Sequence, residues 1–534
     1  KPGRKPMMIT LLDYGAGNVR SVVNAIEKLG WRVHIASRPE DIRHAEKLVF
    51  PGVGSFGSMM QVLRERDYAG PLVEYLRADK PFLGICLGLQ ALFEKSGEAP
   101  GIDGLGFIAG SVKRFETKLS VPHIGWNGLR VKKPSWLFNG IEEDEKFYFV
   151  HSYYVAPRDP GVILTETDYG ETFVSSIRRG NITATQFHPE KSGAAGLAVL
   201  KNFLEPGAGS AEQIREIPET KLARRIVACL DVRANDEGDL VVTKGDRYDV
   251  RENGEVRNLG KPVELAKDYY EQGADEITFL NITGFRDFPL EDLPMLEVLK
   301  QTSRHVFVPL TIGGGIRSYT DANGRNWSAL EVAAEYFRSG ADKISIGSDA
   351  VHIAEDYLET GKKTGISAIE QISSVYGSQA VMISIDPRRV YVSRPEDSPY
   401  HVIRTELPGP EQEKYCWFQC TVKGGREGRP VDAVTLAKAC SELGAGEILL
   451  NCIDRDGTNS GFDTELINAV AEAVSIPVIA SSGAGSKDHF LEVFTQTGAE
   501  AALAAGIFHR REVPVGAVKK YLHGKVEIRR EGML

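Results

Sequence analysis

Cys86 stands in Gly84-Ile85-Cys86-Leu87-Gly88, directly after the apolar run Phe82 to Ile85 and before Leu89-Gln90-Ala91-Leu92-Phe93. Glycine on both sides permits a tight strand-to-helix turn that projects the side chain, and a helix amino end favours thiolate over thiol. Such a nucleophile needs a base, and Gln186-Phe187-His188-Pro189-Glu190 supplies one after an apparent strand. In an extended segment residues two apart share a side, so Glu190 is placed to orient His188 while His188 takes the thiol proton. Attack on an amide also needs N–H donors for the developing oxyanion. Pro51-Gly52-Val53-Gly54, after the run Leu48 to Phe50, offers those of Gly52, Val53 and Gly54 in a glycine-permitted turn.

A second constellation lies in the other half of the chain. Asp231 in A-C-L-D-V-R (228–233) and Asp386 in I-S-I-D-P-R (383–388) end two similar apolar runs. The echo continues in the same order: Gly273-Ala274-Asp275-Glu276-Ile277 resembles Gly444-Ala445-Gly446-Glu447-Ile448, P-L-T-I-G-G-G-I (309–316) resembles P-V-I-A-S-S-G-A-G (477–485), and Ser339-Gly340-Ala341-Asp342 resembles Thr497-Gly498-Ala499-Glu500. Two half-barrels of an eightfold β/α barrel are implied, with Asp231 and Asp386 facing each other across its mouth as a general acid and base. The glycine turns at Gly314, Gly315 and at Ser482, Gly483 are each followed one strand later by Gly347, Ser348 or Ala505, Gly506. Backbone N–H groups there cradle phosphate without a basic protein, and their duplication suggests a substrate with a phosphate at each end.

The elements that must hold these residues follow from the pattern. Of 534 residues 42% are hydrophobic and 26% charged, an ordinary globular composition. The formal charge of −9 is too acidic for a grip on nucleic acid as the main activity. Six cysteines cannot build a disulfide framework and fit a reducing compartment. No apolar run is long enough for a membrane span or a signal peptide. Short β-rich runs alternate with helical stretches, as in Ile9 to Leu12 followed by Arg20 to Leu29, so the fold class is α/β with an open, mainly parallel sheet first. The alternation weakens near residue 204, and Pro206, Gly207, Gly209, Ser210 and Pro218 mark a linker. We expect domains at 7–204 and 222–534, with 205–221 between them. Polar excursions at Asn235 to Asn258 and Ser393 to Tyr415 follow the two matching strands and rise from the carboxyl face. Neither Asp454 to Thr458 nor Cys416 with Cys420 has a metal-binding spacing, so no metal or cofactor is expected.

P-G-V-G, G-I-C-L-G-L-Q and H-P-E-K-S together resemble the class I, triad-type glutamine amidotransferases. The resemblance implies a glutamyl thioester on Cys86, His188 as base, Glu190 as its orienter, and Gly54, Gln90, His151, Ser152 and Tyr153 around the glutamine. A-C-L-D-V-R, V-V-T-K-G-D, L-T-I-G-G-G-I, G-A-G-E-I-L-L-N and D-R-D-G-T resemble the cyclase barrel of histidine biosynthesis. The whole chain is therefore similar to the fused, plant-like imidazole glycerol phosphate synthase family. That resemblance implies glutamine and PRFAR as substrates, imidazole glycerol phosphate and AICAR as products, and ammonia entering the barrel at its amino-terminal face. It implies a charged gate of Arg225, Glu276, Lys343 and Glu447 there, a substrate-closing loop with Lys244, and PRFAR contacts at Asn451, Asp456 and Gly457. It further implies a monomer, and a plastid stroma or alternatively the cytoplasm. A glutaminase joined to a related isomerase barrel, or a glutamine-sensing scaffold without turnover, remain the alternatives at this level.

Overall fold

The computed structural model describes residues 8–15, 17–206, 219–234, 240–243, 251–252, 255–256, 258–282, 293–321 and 323–530. In the first unit β1 (Met8–Leu12), β2 (Arg32–Ala36), β3 (Leu48–Gly52) and β4 (Phe82–Cys86) pair in parallel in the order β2-β1-β3-β4. Every residue of β3 and β4 is buried, as expected of parallel strands covered on both faces. Helix α1 (Val19–Lys28) covers β1, capped by the Asn18 side chain on the Ser21 N–H and burying Val22, Ala25 and Ile26. A separate antiparallel ribbon joins β5 (His123–Asn127) to β6 (Phe147–His151). Strand β7 (Ile182–Thr185) lies parallel to β4, and antiparallel strands extend the sheet beyond it. A last helix, Gly193–Leu204, closes the unit.

The second unit is a closed barrel. β8 (Arg225–Ala234), β9 (Glu276–Asn281), β10 (Leu310–Gly313), β11 (Lys343–Ile346), β12 (Val381–Ile385), β13 (Glu447–Asn451), β14 (Val478–Ser481) and β15 (Ala501–Ala504) pair successively in parallel. β15 then pairs with β8, which removes both sheet edges. The expected half-barrels are β8 to β11 and β12 to β15. After β12 the chain makes a four-stranded antiparallel sheet from Pro387–Val392, Val402–Arg404, Tyr415–Val422 and Glu427–Asp432. In the matching place of the first half, Leu240–Thr243 pairs back on the end of β8. Lys244 and most of that excursion lie outside the described residues, as do 207–218 of the expected linker.

Among the described residues, the two units meet at one end of the barrel. The Trp126 indole N–H donates to the Asp275 carbonyl at 3.1 Å, Gly193 N–H to Phe307 at 3.0 Å, and Asn18 to Gly340 at 2.8 Å. Ser55 N–H donates to Val375 at 3.3 Å and Val121 N–H to Ser475 at 2.8 Å. Each acceptor lies just before a barrel strand, so the first unit sits on the amino-terminal face, opposite the expected mouth. One hydrophobic cluster crosses the junction, containing Trp126, Phe147 and Phe149 of the ribbon together with Ala223, Ile226 and Phe307.

The carboxyl-terminal segment ties this junction together. Arg224 and Ile528 form a parallel bridge, Lys146 pairs with Glu527 at 2.6 Å, and Arg530 pairs with Asp144. Asp275, fully buried, accepts from Lys519 at 2.7 Å, from Arg529 at 2.8 Å and from the Ile226 N–H at 2.8 Å, while the Arg529 guanidinium lies over Trp126 at 4.4 Å. A buried carboxylate serving two cations contributes mainly through the penalty of removing it. Asp275→Asn is therefore expected to destabilise the protein by about 3 to 5 kcal/mol, read as a lower urea midpoint for the change in tryptophan fluorescence.

Candidate active sites

β4 runs straight into Cys86, which adopts φ 55° and ψ −104° before the short helix Leu87–Gln90. A non-glycine residue at positive φ is strained and persists only where its surroundings enforce it. The glycines enforce it by close approach. A Cβ on Gly88 would lie 2.0 Å from the Phe50 carbonyl oxygen, and one on Gly52 would lie 2.6 Å from the Leu87 Cβ. Cys86 is buried, yet its sulfur is not surrounded by hydrocarbon alone, because Gln186 Nε2 donates to it at 3.4 Å.

His188 and Glu190 meet as expected, with Nδ1 donating to Oε1 at 2.8 Å, but not by the expected geometry. The strand ends at Thr185, and Pro189–Lys191 forms a 3₁₀ turn, so a tight turn rather than an extended segment brings the carboxylate back to the ring. Burial of the imidazole opposes its charge. The Glu190 carboxylate and the neighbouring Cys86 sulfur outweigh that burial and hold the pKa up to about 10. His188 Nε2 is buried with no hydrogen-bond partner.

The turn after β3 is clamped from two directions. The Tyr14 hydroxyl donates to the Val53 carbonyl, and a Cβ on Gly17 would overlap the Val53 side chain. On the other side, Gly54 at φ 116° packs on the barrel, where a Cβ would lie 2.7 Å from the Val375 carbonyl oxygen. Gln90 Nε2 donates to the Tyr153 carbonyl at 3.0 Å and to Gln186 at 3.2 Å, and its Oε1 is buried without a partner. Both His151 ring nitrogens are committed inside the protein, Nδ1 at 2.8 Å from the Tyr153 carbonyl and Nε2 at 3.2 Å from His123 Nδ1. The Ser152 carbonyl accepts the Phe115 N–H. Three residues here had no role assigned from sequence: Tyr14, Gln186 and Glu98. Gln186 was adjacent to a recognised motif. Glu98, whose pKa burial raises although the Phe56 N–H lowers it, is distant in sequence, and only the fold brings its charge near Tyr153.

At the other end of the molecule a cavity of about 740 Å³ opens at the carboxyl ends of the barrel strands. It is bordered by Asp231 and Asp386, from β8 and the end of β12, and by every residue expected to hold substrate there except Lys244. The repeat is visible in the backbone. Gly314 and Gly315 have φ of 100° and 74°, and their counterparts Ser482 and Gly483 have 72° and 98°. Gly347 and Ala505 precede helices Ser348–Thr360 and Gly506–His509, so backbone N–H groups of helix amino ends border the same cavity twice. Asn451 Nδ2 donates to Asp386 at 2.9 Å. Burial and the Asp456 charge outweigh that bond and raise the Asp386 pKa to about 6. The cavity is also bordered by Arg317, Lys423 and Arg426, which sequence reading left out although each follows or flanks a glycine turn.

The four expected gate residues close a ring across the amino end of the barrel. Each is the first residue of its strand: Arg225 of β8, Glu276 of β9, Lys343 of β11 and Glu447 of β13. Arg225 reaches Glu276 at 3.0 Å and Glu447 at 2.5 Å, while Lys343 reaches them at 2.7 and 2.6 Å. All four are buried. Burial works against ionised Glu447, but the two cations prevail and lower its pKa.

A parallel sheet with a thiol elbow and an adjoining His–Glu pair, seated on a twofold-repeated barrel, defines a glutamine amidotransferase joined to a histidine-biosynthesis barrel. The class-I glutamine amidotransferase family matches residues 10–206, and the histidine biosynthesis protein family matches 225–514. The chain is 60% identical over 530 residues to the chloroplastic imidazole glycerol phosphate synthase hisHF of Arabidopsis thaliana, covering 98% of this chain and 89% of that protein. It is 54% identical to the hisHF of Schizosaccharomyces pombe, covering 97% and 98%. The barrel alone is 42% identical to the HisF subunit of Methanosphaera stadtmanae, over 57% of this chain. The chain belongs to the imidazole glycerol phosphate synthases of histidine biosynthesis, in the form that carries amidotransferase and cyclase domains on one polypeptide.

Replacing Glu190 by Gln removes the charge that sustains imidazolium at His188. The His188 pKa is expected to fall below about 10, followed by ¹⁵N NMR, and glutamate release to drop by about 10²- to 10⁴-fold.

Proposed function

We propose that Cys86 attacks the side-chain amide of glutamine and that the ammonia released passes inside the protein to PRFAR, which the barrel converts to imidazole glycerol phosphate and AICAR. The observation that carries this reading is the placement of the thiol unit on the amino-terminal face of the barrel whose opposite face holds the two-carboxylate cavity. His188 takes the thiol proton and returns it to the departing nitrogen; water then frees glutamate from the thioester. N–H groups of the turn Gly52 to Gly54 would meet the oxyanion, and Gln90 with the 151–153 segment would border glutamine. Both His151 nitrogens are engaged elsewhere, so that side chain is not the part of the segment that would meet substrate. Glu98 is a suitable counter-charge for an α-ammonium group.

Between the ring and the mouth the barrel interior is lined by Val227, Cys229, Met382, Leu449 and Ile479. Thr278 and Ser345, each two residues beyond a ring member on the same strand and so on the same side, carry buried hydroxyls without partners. An apolar bore with two such hydroxyls suits a small neutral amine and disfavours its charged form. At the mouth, Asp231 and Asp386 would move protons during ring closure and cleavage, and the paired turns and helix ends would each take one phosphate. Arg317, Lys423 and Arg426 would add charge to those subsites. We further propose the domain limits 7–204 and 222–534, and a monomer, since both activities share one chain. The plastid stroma is the compartment supported by the name of the Arabidopsis relative, with the cytoplasm the competing reading given equally fused fungal relatives.

Two variants test the division of labour. Cys86→Ala is expected to abolish cyclisation with glutamine while retaining cyclisation with ammonium salt, and Asp231→Asn to lose cyclisation while still releasing glutamate, both followed by product analysis. Loss of both activities in Cys86→Ala would contradict two separate centres. The pH profile of ammonium-driven cyclisation should show a limb near pH 6 from Asp386. Asn451→Ala, which removes the bond holding that pKa down, should move the limb upward.

A further inference from the structure

The ribbon β5 and β6 holds two histidines that the catalytic steps above do not use. His123 and His151 are directly paired across the ribbon. The His123 ring is fully buried and sandwiched between Tyr169 and Phe149, with centroids at 3.9 and 5.0 Å. The arrangement of protons follows from one fixed point. A carbonyl oxygen can only accept, so His151 Nδ1, 2.8 Å from the Tyr153 oxygen, carries a hydrogen. Neutral His151 then has a bare Nε2, and its neighbour at 3.2 Å, His123 Nδ1, must be the donor. A neutral His123 is left with a bare Nε2, and that atom is buried with no partner.

Both rings are held neutral. Burial, opposed by the Tyr153 carbonyl and aided by the His188 charge, lowers His151 to about 3. Burial, His151 and the Arg225 charge lower His123 well below the ordinary value. The ribbon itself locates the pair: its Tyr148 carbonyl accepts the His188 N–H at 2.9 Å, and its Trp126 indole donates at 3.1 Å to Asp275, the residue before ring member Glu276. Tyr148, facing Trp126 in the ribbon, also has a buried hydroxyl without a partner, and its pKa, raised by burial, responds to Glu276 and Arg225.

Resting on the proposed transfer of ammonia, we infer that His123 Nε2 is a way-station that accepts an N–H of ammonia between the glutaminase centre and the charged ring. Ammonia is both a donor and a base, so a protonated ring at this place would give up its proton and trap ammonium. A neutral ring with a bare, unpartnered Nε2 lone pair would bind ammonia weakly and let it leave as ammonia. The hydrogen-bond chain anchored at Tyr153 selects the tautomer that presents this lone pair.

The test compares two substitutions in the full-length protein supplied with glutamine and PRFAR. Asn in place of His123 keeps an amide near the Nδ1 position and loses the Nε2 acceptor, whereas Gln reaches the Nε2 position with an amide oxygen. The readout is glutamate released per imidazole glycerol phosphate formed, with ammonium-driven cyclisation reporting an intact barrel. His123→Asn is expected to raise the ratio about three- to tenfold above one, the range set by one hydrogen bond of ordinary net strength, and His123→Gln to bring it back toward one. If the wild-type protein is itself not near one-to-one, the transfer reading fails. If it is one-to-one and His123→Asn remains so, the way-station is overturned. ¹⁵N spectra of histidine-labelled wild-type protein give a second measurement that requires no variant to fold. The His123 Nε2 resonance should be that of a bare nitrogen and should move on adding ammonium chloride but not sodium chloride; a protonated Nε2 would overturn the inference.

Discussion

Ammonia is a nucleophile only while its lone pair is free, and at neutral pH water removes that lone pair by protonation. The proposed amidotransferase and cyclase centres lie at opposite ends of the barrel, so a nitrogen passing between them would meet a solvation constraint before it met any chemistry. The charged ring satisfies that constraint in a particular way. Two cations each bridge the same two carboxylates, giving a closed set with no excess charge. A net negative ring would favour ammonium, and a net positive one would leave a cation unpaired in a buried place. Apolar side chains follow on the barrel side and aromatic rings on the other, and the unpartnered buried polar atoms there include the Thr278 and Ser345 hydroxyls and His123 Nε2.

The Cys86 thiol, the proposed nucleophile, depends on the same packing. Cys86 adopts a backbone conformation that an isolated chain would avoid, held there by glycines that let three backbone segments approach within contact. The neighbouring turn at Val53 and Gly54 is gripped on one side by Tyr14 of its own domain and on the other by Val375 of the barrel. The geometry of the turn proposed to supply oxyanion donors is thereby shared by both domains. A change in the barrel's outer helices reaches the glutaminase through a direct contact, with no long path required.

Much of this was legible in the residues. The Cys86 elbow, the His188–Glu190 pair and the duplicated glycine turns are local features, and local features survive in one dimension. The four ring residues could be placed only by resemblance, because charges beside strands look alike until closure brings four strands of the barrel together. The pairing of His188 with Glu190 was expected for the wrong reason, since period-two alternation ends at Thr185 and the proline after His188 turns the chain. His123, Tyr14 and Glu98 were missed because their meaning lies wholly in distant partners: a histidine on another strand, a carbonyl 39 residues away, and a backbone N–H from the turn before another helix. In the mouth, Arg317 was overlooked although it sits just beyond the Gly313 to Gly315 run that was noticed, while Lys423 and Arg426 flank Gly424 and Gly425, a turn that was not noticed.

The carboxyl-terminal segment changes what the peptide connection between the domains is for. Ile528 continues an edge beside Arg224, Arg529 caps Trp126 while holding Asp275, and Glu527 and Arg530 grasp the other domain's surface. Docking is therefore encoded in the surfaces themselves and latched by the tail, and the tether's contribution reduces to raising local concentration. An enzyme assembled this way could be divided between two genes at the tether without redesigning the seam.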